Sequence, residues 1–118
     1  MAVHHQKGSD LPNDRAAVEG DGFAVAVTRF DPSAGWGDWH HHGDHHVIAY
    51  VMGGTIRVES GPSGGEVTEV SAGDLVHIEP GTVHREDYGT EEVFSIGLYL
   101  GSGPGRVDVE GPDGPSTD

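Results

Sequence analysis

Seven of the nine histidines fall in two short stretches. The first is Trp39-His40-His41-His42-Gly43-Asp44-His45-His46. The second carries His77 and His84, the latter behind the turn Pro80-Gly81-Thr82-Val83. Neutral imidazole is the commonest side-chain ligand for a metal ion, and a convergent set on rigid strands is what such an ion needs. In an extended chain residues i and i+2 share a face, so His40 and His42 converge while His41 points away. Gly43-Asp44 reads as a turn, after which His46 can return toward the same pocket, and His84 offers a sequence-distant nitrogen. The chain has no Cys. Disulfides, thiolate nucleophiles and Cys-based zinc sites are excluded together, which leaves His and carboxylate to hold any metal. No Gly-rich phosphate loop or nucleophile elbow is present, so phosphoryl transfer and serine hydrolysis have no support.

The elements that must position these residues read as β throughout. Phe23 to Phe30 is an apolar, β-branched run, His46 to Met52 is another, and Thr55 to Glu59 alternates Ile56 and Val58 against polar neighbours. Gly53-Gly54 is a hairpin turn signal between the last two. Glu66 to Val70, Asp74 to Glu79 and Val93 to Leu100 complete the set. Gly or Pro interrupts every stretch long enough for a helix. Short strands with turn signals at about ten-residue spacing predict a sandwich or barrel. Residues 1–20 read as a polar arm or short edge element and 21–100 as the β domain. Residues 101–118, rich in Gly, Pro and Asp, read as a frayed, disordered tail.

Composition bounds the remaining classes. The 118 residues fit one domain. Counted with its 20 Gly and without its 3 Tyr, the apolar fraction rises from 34% to roughly 48%, ordinary for a globular chain. Twenty Asp+Glu against six Lys+Arg give a net charge of -14. Such a domain repels phosphate backbones, which argues against nucleic acid as a partner. The same balance suits a protein that stays soluble in concentrated salt. No apolar run approaches the roughly 18–20 residues of a membrane helix, and no apolar signal core follows Met1. The expected compartment is the cytoplasm, with no membrane partner.

The spacing of these residues resembles a known family. Gly35-x4-His40-x-His42-x3-His46-x6-Gly53 resembles the first motif of the cupins, which runs Gly, five residues, His-x-His, three or four residues, Glu, six residues, Gly. Gly73-x5-Glu79-x-Gly81-x2-His84-x3-Tyr88 resembles the second, with Glu79 in place of Pro and Tyr88 in place of Asn. The resemblance spans residues 35–88 and implies a small jelly-roll β-barrel in a single domain. It implies one divalent metal ion, Fe(II), Mn, Ni, Cu or Zn, and a ligand set of His40, His42, His46 and His84. His46 would then stand where the family usually has Glu. Four neutral nitrogens would leave the ion's charge undiminished and two adjacent positions open on an octahedral ion.

Fold does not fix function. The leading expectation is a metal-dependent dioxygenase acting on a small enol, phenolic or diketone-like substrate. A non-redox cyclase, isomerase or lyase would use the same site, and a barrel plugged by large side chains would favour a non-catalytic binding or sensing module. Tyr50, four residues after His46 on one strand face, is a candidate acid/base or substrate anchor, although a core tyrosine fits equally. Ser95 and Tyr99 share one face of the last strand with the same ambiguity. Trp36 and Trp39 suit a pocket wall or a subunit interface. His41 and His45 read as outward-facing, His77 as a hydrogen-bonded core residue, and Arg85-Glu86-Asp87 as a solvated turn. Exposed strands favour a homodimer through sheet edges.

Overall fold

The computed structural model describes residues 1–33 and 35–113. After a short 3-10 turn at Gly8–Asp10 the chain is all strand: β1 (Val18–Gly20), β2 (Phe23–Phe30), β3 (His40–His41), β4 (His46–Gly53), β5 (Thr55–Ser60), β6 (Glu66–Ser71), β7 (Leu75–Ile78), β8 (Arg85–Asp87), β9 (Val93–Leu100) and β10 (Val107–Asp108). No described helix is long and apolar enough to cross a membrane.

One sheet has the order β1-β2-β9-β4-β7. Facing it are β6-β5-β8 and the pair β10-β3, joined where His40 bridges His84. The crossed-over order, with β9 between β2 and β4, is that of a jelly roll. Its two layers stay separate sheets and do not close into one hydrogen-bonded barrel. Period-2 alternation decides which side chains meet between the layers. From the large sheet come Ala26, Thr28, Val47, Ala49, Val76, Ile78, Ser95, Gly97 and Tyr99. Ile56, Val58 and Val70 meet them from the other side, and with Val51 and Val93 they form the core. The opposite face of the large sheet leaves Phe23, Tyr50, Leu75, Ile96 and Leu100 exposed.

The arm and the tail differ in how they are held. Residues 1–10 are exposed, whereas β1 forms an edge strand against β2, with Val18 opposite Val25. From Gly101 the chain was expected to fray, yet as far as Asp113 it folds back over the site. Val107 pairs with His41, Asp108 with His40, and Val109 N–H donates to the Trp39 carbonyl at 2.9 Å. Backbone pairing anchors this segment where apolar burial does not. Residues 114–118 of the expected tail lie outside the described part.

Candidate metal centre

His40 opens β3, His42 follows it by two residues, and His84 lies opposite His40 in an antiparallel bridge with N···O distances of 2.9 Å both ways. A strand pair this close brings the imidazoles together, tilted or edge-on to one another. Ring centroids of His40 and His84 are 4.3 Å apart, those of His40 and His42 5.0 Å, and those of His42 and His84 5.1 Å. One nitrogen from each ring lies within 4.8 Å of the other two.

The other nitrogen of each ring is tied to the backbone. Nδ1 of His40 meets the Asp38 carbonyl at 2.9 Å, that of His42 the Gly105 carbonyl at 2.8 Å, and that of His84 the Thr82 carbonyl at 2.9 Å. A carbonyl only accepts, so Nδ1 carries the proton and Nε2 is left with a bare lone pair. Nε2 of both His40 and His84 is buried and has no hydrogen-bond partner. Burial is the main cause that lowers the pKa of all three histidines from the usual 6.5, and it keeps them neutral. Three fixed, neutral imidazoles with clustered nitrogens, two of them buried and unpartnered, are the donor set of a metal site, and orphaned buried acceptors elsewhere are rare.

The expected fourth histidine is not brought there. His46 is exposed, and its Nδ1 pairs with Nε2 of His77 at 2.9 Å. The reason is parity: Val47, Ala49 and Val51 face inward along β4, so His46 and Tyr50 face out. Tyr50 is 44% exposed on that outer face, far from the role of acid/base or substrate anchor. The motif permits three or four residues after its His-x-His, and the structure fits four. The ligand position then falls on Val47 and the motif glycine on Gly54. Gly54 has φ +77°, and a Cβ there would stand 2.6 Å from the Glu92 carbonyl oxygen. A glycine is required at Gly54 on both counts.

Other residues move into or out of the site. Ser95 and Tyr99 line the cavity, and Tyr99 sits edge-on to His42 at 5.8 Å. Burial, with Glu86 second, raises the Tyr99 pKa and holds its hydroxyl protonated. Residues 85–87 form β8 instead of a turn: Asp87 is buried on Arg57 at 2.7 Å, Arg85 pairs with Glu59 at 2.7 Å, and Glu86 lines the cavity. The signal was present in the sequence, because Glu86 is at i+2 from His84. Trp36 and Trp39 are not pocket walls. Arg85 lies over both rings at 5.1 and 4.5 Å. His41 accepts from Gly43 N–H at 2.9 Å and His45 meets the His42 carbonyl at 3.0 Å, so both brace the turn. His77 is a hydrogen-bonded partner of His46, exposed and outside the core.

The cavity between the layers measures about 210 Å³ and is lined mainly by apolar side chains, with His40, His42, Glu86, Tyr99 and Arg106 as its polar groups near the cluster. This fold and this motif pair define a cupin, and the chain belongs to the cupin domain family, which matches residues 26–96. It is similar to a protein of Klebsiella pneumoniae with a double-stranded β-helix domain, at 24% identity and a TM-score of 0.68, over 92% of this chain and 90% of that one. It is also similar to KdgF from Halomonas sp., at 24% identity and a TM-score of 0.62, over 75% and 79% of the two chains. Oxalate oxidase in complex with the substrate analogue glycolate matches at 25% identity and a TM-score of 0.60, over 73% of this chain but 45% of that one. No curated protein matches the chain.

Proposed function

We propose that this cupin is a metal-dependent oxygenase acting on a small organic molecule, with the ion held by His40, His42 and His84. The observation that carries the reading is the trio of neutral imidazoles with one nitrogen each within 4.8 Å of the others, those of His40 and His84 buried and unpartnered, beside a cavity of about 210 Å³ that His40 and His42 line. An ion bound there supplies Lewis acidity to a chelating substrate and a meeting place for substrate and dioxygen. The chain supplies the rest. The backbone carbonyls of Asp38, Gly105 and Thr82 fix ring orientation. Val47, Ala49 and Ile78 make the wall that excludes water. Arg106 also lines the cavity, with its guanidinium paired to Asp108. The cavity argues against a plugged, purely structural barrel, and the likeness to oxalate oxidase supports redox chemistry on a small acid.

A non-redox reading, lyase or isomerase, is favoured by Tyr99, whose protonated hydroxyl on the cavity wall is a ready proton donor. Two measurements separate the readings. Protein purified without added metal is analysed for bound elements, then loaded with Fe(II) or Zn(II) and offered oxalate, glycolate, catechol and acetylacetone in an oxygen electrode. The oxygenase reading expects stoichiometric metal and oxygen uptake with Fe(II). Anaerobic turnover by the Zn(II) form overturns it in favour of the non-redox reading, and the absence of bound metal overturns both.

A further inference from the structure

The site lacks a carboxylate where the family motif would put one, because the inward-facing residue at the start of β4 is Val47. A carboxylate stands in the cavity all the same. Glu86 follows His84 by two residues, so the two side chains share one face of the strand segment. Its Oε1 lies 3.9 Å from the unpartnered Nε2 of His40, outside the 4.8 Å cluster of the three imidazoles, so a change of rotamer would bring it to a shared ion. Two atoms that each lie about 2.1 Å from one ion stand roughly 3.0–4.2 Å apart, depending on the angle between them. The Tyr88 hydroxyl donates to the same Oε1 at 3.1 Å, and the Tyr88 ring is stacked on Phe30 at 4.3 Å and 9°. Tyr88 thus holds the carboxylate at the cavity wall beside His40.

What Glu86 lacks is an arginine or lysine in direct contact. A partly buried carboxylate is costly unless it is paired. Every arginine of the chain is committed to another carboxylate: Arg15 to Asp14, Arg29 to Glu92, Arg57 to Asp87, Arg85 to Glu59 and Arg106 to Asp108. The one lysine, Lys7, is exposed in the arm. Among the described residues the nitrogen left facing Glu86 is Nε2 of His40, at 3.9 Å. A divalent ion bound by the three imidazoles would complete this charge balance.

We propose that Glu86 is the fourth ligand of the metal centre, so that the carboxylate comes from β8 in place of β4. The set is then three imidazole nitrogens and one oxygen, which reduces the net charge of the site by one and favours Mn(II), Fe(II) or Zn(II) over a soft ion such as Cu(I). The proposal rests on the three histidines holding a metal. It deepens that reading by naming the ligand the sequence motif does not supply.

The test uses Glu86→Gln, which keeps shape and hydrogen-bonding capacity, with Mn(II) and Zn(II) as probes. Affinity is read by competition with a chromophoric chelator on metal-stripped protein. The expected result is a loss of at least about tenfold for Glu86→Gln, with His46→Gln unchanged. An unchanged affinity for Glu86→Gln in a protein that does bind metal overturns the proposal and spares the three-histidine site. Failure of the unsubstituted protein to bind either ion overturns the site itself. Should Glu86→Gln fail to fold, X-ray absorption on the Zn(II)-loaded unsubstituted protein decides. A short carboxylate-oxygen contribution beside three imidazoles supports the proposal, and a shell fitted by imidazole and water alone overturns it.

Discussion

Replacing His84 by Leu separates the stability of this protein from its chemistry. His84 is wholly buried, and in the metal-free protein its Nε2 has no partner. A buried acceptor left unsatisfied costs about 1–3 kcal/mol. Leucine removes that cost. It also removes the Nδ1–H bond to the Thr82 carbonyl, worth about 1 kcal/mol net, and the change of shape costs up to about 1.5 kcal/mol. The sum lies within about 2 kcal/mol of zero. Truncating a core side chain at such a site ordinarily loses about 2–5 kcal/mol. The assay is urea unfolding of metal-stripped protein, followed by the fluorescence of Trp36 and Trp39. Metal reverses the comparison: at a thousand times its dissociation constant an ion stabilises the original protein by about 4 kcal/mol, whereas the two-histidine variant gains little. A loss above about 3 kcal/mol in the metal-free variant would refute the claim that His84 is held there for ligation at the expense of stability.

Three further outcomes follow from the same geometry. His42→Ala should strip metal from the purified protein while His41→Ala and His46→Ala should not, and elemental analysis showing equal losses would reverse the assignment of faces along β3 and β4. The three clustered histidines have pKa values below their unfolded 6.5, so the unfolded chain binds more protons as pH falls. Stability of the metal-free protein should therefore decline below about pH 6.5, by at most about 1.4 kcal/mol per pH unit for each group; a urea midpoint unchanged between pH 7.5 and 5.5 contradicts this. A homodimer is expected to form through the outer face of the five-stranded sheet and not through its edges, since Glu19 is the single Asp or Glu in the five strands of a sheet that leaves Tyr50, Leu75 and Ile96 exposed. Light scattering should give twice the chain mass and Leu75→Asp should halve it, whereas a monomer at 100 micromolar would end that expectation.

The sequence by itself determined a great deal. Alternating apolar residues and Gly-rich turns made the fold all-β, and the i, i+2 relation brought His40 and His42 together. The second motif added His84 from a distance. All three meet in the structure. These features are local or carry a fixed spacing, which is why one sequence reveals them. What it left open was phase. A one-residue shift reverses every side chain on a strand, and the Gly43-Asp44-His45 turn can deliver either His46 or Val47 to the cavity. Only the pairing of β4 with β9, Val47 opposite Tyr99, chose Val47. The same pairing sent Tyr50 outward. Glu86 was hidden for a similar reason: a run of three charged residues looks solvated until Arg57 and Glu59 on β5 engage its two neighbours and turn the third inward. The return of residues 101–113 across the site depends on backbone partners in β3 that lie more than sixty residues away. Local pattern determined which residues could do chemistry, and tertiary register decided which of them face one another.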